Sequence, residues 1–159
     1  MKTLVVFYSR TGNTKKVAQK IIQSINSDSE EIFDASNIFD SLGYLRYCKE
    51  AILKELPRIK KTKKDPSKYD LVVIGTPIWV YTLSSPIRTY LEKNKNKFKK
   101  VAFFCTQGAS GAPEAFKEMQ RICRQKPLAL LTLLTEEVRN KKNTKKVAQF
   151  TKKLKQNCV

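Results

Sequence analysis

A chain of 159 residues has the size of one ordinary domain, and 41% hydrophobic residues supply one core without disulfides or metal as a staple. There is no histidine, and Cys48, Cys105, Cys123 and Cys158 show no C-x-x-C spacing, which excludes the usual zinc and iron-sulfur ligand sets and Ser-His or Cys-His nucleophiles. The charge is far from balance, 32 Lys plus Arg against 14 Asp plus Glu, or +18. The longest apolar stretch, Pro127 to Thr135, is too short to span a bilayer, and no signal peptide is visible. A reduced, cytoplasmic single domain over residues 1–159 is expected, with chemistry that leans on a bound cofactor or on acid-base groups other than histidine.

Thr3 to Tyr8 (TLVVFY) has the apolar, β-branched character of a strand buried on both faces of a parallel sheet. From Asn13 the spacing becomes helical, with Val17, Ala18, Ile21, Ile22 and Ile25 in one stripe. A second strand is predicted at Glu30 to Asp34, and a second helix from Gly43, through Leu45, Cys48, Ala51, Ile52 and Leu56, to the stop at Pro57. Tyr69 to Gly75 reads as a third strand, Ser85 to Asn94 as a third helix, and Val101 to Cys105 as a fourth strand. Pro113 opens a fourth helix, Leu128 to Leu134 is the fifth strand, and Asn143 to Gln156 the last helix. Strands alternating with helices in five units make a doubly wound α/β domain, because parallel strands need crossover helices. The heptapeptide NTKKVAQ occurs at Asn13 and again at Asn143; both copies suit a helix start with Asn as the cap, and no duplicated fold is implied.

In such a sheet ligands bind beyond the carboxyl ends of the strands, where the winding reverses. Three loops leave those ends near that point. The first, Ser9-Arg10-Thr11-Gly12-Asn13-Thr14, joins hydroxyls, a glycine and a helix N-terminus, a set that suits a phosphate, or else it is a plain polar turn with a capping residue. Neither the dinucleotide fingerprint nor the Walker pattern is present. The second, Thr76-Pro77-Ile78-Trp79-Val80-Tyr81-Thr82, carries the lone tryptophan, whose surface either covers a flat ligand ring or anchors the loop on the third helix. The third, Thr106 to Ala112, has Gln107, Gly108 and Gly111 and many backbone donors. Cys105 reads as a small buried hydrophobe, and Tyr44 and Arg46 as helix-capping and surface residues.

The run S-x-T-G-N-T at Ser9 to Thr14 and G-T-P-I-W at Gly75 to Trp79 resemble the flavodoxin family, along nearly the whole chain. The resemblance implies a flavodoxin-like three-layer sandwich around a five-stranded parallel sheet of order 2-1-3-4-5, and non-covalent FMN as cofactor. It implies a phosphate held by Ser9, Arg10, Thr11, Gly12, Asn13 and Thr14, and a ring lined by Thr76, Pro77, Ile78, Trp79, Thr106, Gln107, Gly108 and Gly111. Two features depart from the pattern. The third loop has no aromatic residue, and Trp79 to Thr82 lacks the glycine that often flips toward the flavin, so a standard semiquinone-stabilising switch is not expected.

The function expected is electron transfer through bound FMN, to a redox partner protein or a small-molecule acceptor. An FMN-dependent oxidoreductase of quinone or flavin reductase type is the alternative, favoured by an open flavin face. A phosphorelay receiver is excluded, since Gly75, Thr76, Ser9 and Arg10 occupy the places its acids need. The positive charge has two readings, an anionic partner such as nucleic acid, membrane or acidic protein, or a lysine-rich composition on solvated faces. On the first, an anionic surface meets the basic pole, and a nucleic-acid or membrane-surface binding module is a further alternative function. The runs Arg58 to Lys64 and Lys93 to Lys100 are assigned to the pole opposite the ligand, about 17–20 Å away and so screened from it over a Debye length of about 8 Å. Near the ligand, Arg10, Lys15, Lys16 and Arg88 are expected to favour an anionic reduced flavin.

Overall fold

A computed structural model describes residues 1–35 and 41–156. Cys158 and the side chain of Tyr44 lie outside the described residues. The elements are β1 Thr3–Phe7, α1 Asn13–Ile25, β2 Asp28–Glu31, α2 Ser41–Ile52, β3 Leu71–Trp79, β4 Thr82–Leu83, α3 Ser85–Asn94, β5 Val101–Gln107, α4 Ala112–Cys123, β6 Leu130–Leu134, α5 Thr135–Arg139 and α6 Thr144–Gln156. The main sheet runs β2-β1-β3-β5-β6, parallel throughout, and β4 pairs antiparallel with β3. This is the expected order, with β5 and β6 as the fourth and fifth parallel strands.

Alternation along the strands sends successive side chains to opposite layers. Leu4, Val6, Val72, Ile74 and Phe103 pack with Ile87, Tyr90 and Leu91 of α3 and Phe116, Met119 and Ile122 of α4. Val5, Phe7, Val73, Ala102 and Phe104 pack with Val17, Ala18 and Ile21 of α1, Val138 of α5 and Val147, Phe150 and Leu154 of α6. The apolar stripe read from helical spacing is therefore the buried face of α1, and α4 and α6 bury one face in the same way.

The second helix ends at Ile52, short of Pro57, and Leu45, Ile52 and Leu56 of its expected stripe are exposed. Elsewhere the departures follow from a change of hydrogen-bond partner or of backbone conformation. The second strand ends at Glu31 rather than Asp34, because beyond Ile32 the backbone leaves β1. Ala35 N–H donates to the Arg58 carbonyl at 2.9 Å, and Lys60 N–H donates to that of Phe33 at 2.8 Å. The run Arg58 to Lys64 thus climbs the open edge of β2, and buried Glu30 accepts the N–H groups of Lys63 and Lys64 at 2.9 and 2.7 Å. Only the end of that run lies at the far pole, which corrects its assignment there. The third strand continues past Gly75 because Ile78 and Trp79 fold back on Leu83 and Thr82. The heptapeptide behaves differently at its two positions. Gly12, at φ 86°, is the N-cap of α1, and Asn13 sits inside the helix donating to the Thr11 hydroxyl at 3.0 Å. The expected asparagine cap is therefore replaced, since the left-handed conformation at that point favours glycine.

Candidate functional site

The first turn of α1 begins in a tight loop. Ser9 Oγ accepts the Lys15 N–H at 3.1 Å and so braces the loop from within. Glycine at the cap has no side chain to offer, and α1 has no side-chain cap hydrogen bond. The first N–H groups of a helix have no intrahelical partner, and with that of Lys15 taken by Ser9 those of Asn13 and Thr14 are left to an anion, in the favourable field of the helix dipole. Thr14 is 2% exposed and Thr106 4%, and their hydroxyls share a hydrogen bond of 2.8 Å. One proton is used within that pair, which leaves a second O–H to donate into the cleft.

The other walls come from β3, β5 and α5. A cavity of about 130 Å³ is lined by Arg10, Thr11, Asn13, Thr14, Pro77, Ile78, Trp79, Thr106, Gln107, Gly108 and Thr135. Ten of these residues are among those the motifs pointed to. Thr135, at the start of α5, is the one that sequence reasoning missed. Its hydroxyl donates to the Gln107 carbonyl at 3.1 Å, closing the cleft from the β6 side. The signal available was a threonine directly after a strand that ends at the ligand edge.

Four residues singled out by motif stand behind the walls. Thr76 is fully buried and accepts the Ser84 N–H at 3.0 Å, fastening β3 to the start of α3. Ser9 and Gly12 shape the phosphate-type loop as described. Gly111, at φ 112°, lies under the hairpin, where a Cβ would fall 2.6 Å from Tyr81 Cα and 2.8 Å from Ile78 Cγ2. Gln107 reaches the cleft, but its amide folds the third loop, with Oε1 accepting the Ala112 N–H at 3.0 Å and Nε2 donating to the Ala109 carbonyl at 3.2 Å. Replacing Gly111 by alanine is expected to cost about 2 kcal/mol of stability, from the left-handed backbone and the overlap together. Urea unfolding measures this, and a midpoint equal to that of the parent would show that the hairpin does not rest on Gly111.

Trp79 stands both at the cleft and in the core. It lines the cleft, and it packs in the core beside Leu83 and Ile87, with Tyr8 edge-on to its ring at 5.5 Å and 89°. Beyond it Val80 and Tyr81, at φ 46° and 63°, make the two-residue turn that joins β3 to β4. Such a turn needs positive φ at both central positions, and these are not glycines, so each residue is strained by roughly 1–2 kcal/mol. The hairpin is held by the contact with Gly111 and by Thr82, whose hydroxyl donates to Glu118 at 2.7 Å.

Charges around the cleft are fewer than expected. Arg88 is 3% exposed and paired with Glu118 at 3.3 Å, so it is not available to a ligand, which corrects its assignment near the cofactor. Lys15 pairs with Glu31 at 2.7 Å. A fourth loop, brought in by Thr135, adds Glu136 and Glu137; Glu137 is paired with Lys146 at 2.6 Å, and with that partner and the Leu134 N–H its carboxyl is held below the usual range. Arg10 lines the cleft. Cys105 is buried, and desolvation pushes its thiol up to about 12 against the lowering effect of Thr132, as suits a packing residue. Arg46 joins Glu50 at 2.6 Å and Asp34 at 3.8 Å, a surface role.

A family model described as Flavodoxin matches residues 2–150. Among solved structures, a flavoprotein of Lactobacillus acidophilus in complex with FMN is 28% identical, with a TM-score of 0.73 over 87% of this chain and 97% of that chain. The apo-form of the flavoprotein from that organism, solved by NMR, is 26% identical at a TM-score of 0.63, covering 82% and 91%. Oxidised flavodoxin 2 of Bacillus cereus, at 18% identity and TM-score 0.58 over 99% of both chains, shares the fold. A search of curated proteins found no match.

Proposed function

Because this chain belongs to the flavodoxin family, we propose that its cleft holds FMN and that the protein transfers electrons through that non-covalent flavin. The observation that carries this reading is the donor set at the start of α1. Free backbone N–H groups, the Thr14 and Thr106 hydroxyls and the Arg10 guanidinium converge on one cavity, and all of them are donors suited to a phosphate dianion. That cavity has about the volume of four or five water molecules in the liquid, the scale of a phosphate and the carbons next to it. FMN, when bound, supplies one- and two-electron redox chemistry that the side chains here do not have. Trp79, Ile78 and Gly108 would line its ring, and the hairpin and third loop would limit its contact with water.

A second reading, a small FMN-dependent oxidoreductase, is favoured by the third loop. Gly108, Ala109 and Ser110 are exposed there and are themselves small, so a planar donor or acceptor has room to stack on the flavin. The two readings separate on reduction. A cleft lined by Arg10 at a helix N-terminus favours negative charge on the reduced cofactor. Loading with FMN should give a flavin spectrum and quenched flavin fluorescence. On the second reading, stepwise dithionite titration runs isosbestically from the oxidised to the fully reduced spectrum. Two well-separated steps would favour the one-electron carrier. Absence of flavin bands after FMN addition would remove both readings.

A further inference from the structure

The two helical layers differ in how their charges are placed. In the layer of α2, α3 and α4, lysines and arginines are mixed with acids, and Glu50, Glu92 and Glu118 are all ion-paired. In the other layer the acids are confined to the short α5, with Glu136 and Glu137, while α1 and α6 carry eight lysines and no Asp or Glu. A chain that was merely rich in lysine would spread the excess over both layers. The two helices are neighbours that pack on the same sheet face, and they are linked where Lys20 Nζ donates to Asn143 Oδ1. Their apolar residues point inward, so Lys16, Lys142, Lys145, Lys152 and Lys153 are exposed and carry no ion pair among the described residues.

We propose that the α1–α6 face is a docking surface for an anionic lipid bilayer. The occupant follows from what the face offers and what it lacks. Its helices are about 20 Å long and lie side by side, so the lysines form a broad array rather than a single row, and a planar surface of lipid phosphates and carboxylates can meet all of them together. None of the exposed large apolar residues belongs to α1 or α6, so the face has no aromatic or aliphatic anchor of the kind that dominates protein interfaces. Neither helix has an arginine for bidentate base contacts, nor an exposed aromatic for stacking, which are the usual means of reading nucleic acid. Binding is therefore electrostatic, reversible and sensitive to salt. The cleft opens at the carboxyl edge of the sheet, so a molecule lying on this face keeps the cleft beside the membrane rather than under it.

The test is partition onto vesicles of phosphatidylcholine mixed with phosphatidylserine, against phosphatidylcholine alone. Each lysine near an anionic surface is worth about 5-fold in affinity. The triple variant Lys145→Glu, Lys152→Glu, Lys153→Glu is expected to lose at least about 100-fold. The triple variant Lys60→Glu, Lys61→Glu, Lys63→Glu, with the same change in net charge on the β2 edge, should lose less than about 5-fold. Near-ultraviolet circular dichroism reports whether each variant folds, and the three α6 single variants, each expected to lose about 5-fold or more, serve if the triple does not. Equal losses in the two triples, or undiminished binding to phosphatidylcholine alone, would overturn the proposal. So would duplex RNA displacing the protein from the vesicles while binding tighter through the same three lysines.

Discussion

Replacing Arg88 by methionine lowers the unfolding free energy by about 3 kcal/mol. Arg88 is 3% exposed, and it donates to Glu118 at 3.3 Å and, through Nη2, to the Thr82 hydroxyl at 3.0 Å. Removing the guanidinium strands a carboxylate that is largely buried, and the remaining neighbours, Lys54 at 3.7 Å and Arg121 at 3.9 Å, are exposed and long. The double variant Arg88→Met, Glu118→Gln should recover part of the loss, because no uncompensated charge then remains. The pH dependence follows from the same pair. Burial raises the Glu118 carboxyl, but hydrogen bonds from Thr82 and Arg88 and the charges of Arg88 and Lys54 outweigh it, so the folded value lies below the ordinary one. This contribution to stability is fully present above the ordinary glutamate range and is lost as pH falls through the lowered folded value. In Arg88→Met the loss begins at higher pH. Urea midpoints across the acid range measure both effects, and parallel pH profiles for parent and variant would exclude this role for the pair.

FMN binds more tightly than riboflavin by about 2–4 kcal/mol, or roughly 30- to 1000-fold. The difference is the phosphate, and the partners proposed for it are the N–H groups of Asn13 and Thr14, the spare O–H of the Thr14–Thr106 pair and Arg10. Thr14→Ala should weaken FMN by about 1.5–3 kcal/mol and leave riboflavin nearly unchanged, since the lost hydrogen bond is one to a charged group. Ser9→Ala acts otherwise. Its oxygen is taken by Lys15 N–H, so the loss appears as a looser loop and a small drop in thermal stability rather than as selective loss of FMN. Fluorescence titration with the two ligands distinguishes these outcomes, and equal affinities would sink the assignment of this loop.

Much of this molecule could be read along the chain, and the reason is physical. The strands alternate faces and the helices repeat every 3.6 residues, so TLVVF, LVVIG and VAFFC announced a sheet buried on both sides, and Val17, Ala18 and Ile21 a buried helix face. The helix Ser85–Asn94 lies where its spacing put it. The phosphate-type loop was legible too, because a strand end, a glycine and a helix start are local features. What escaped was whatever depends on a partner distant in sequence. Ile32 to Ala35 turn from β1 to the segment at Arg58 to Lys60, which no local pattern records. Thr76, Gln107 and Gly111 carry ligand-like side chains or freedom, yet their atoms are used to hold loops together. Thr135 enters the cleft only because β6 lies beside β5. Arg88 looks like a cation near the ligand until folding buries it against Glu118, thirty residues on. A sequence records which groups are available and at what local spacing; the tertiary structure decides which of them satisfy one another, and so which remain free to meet a ligand.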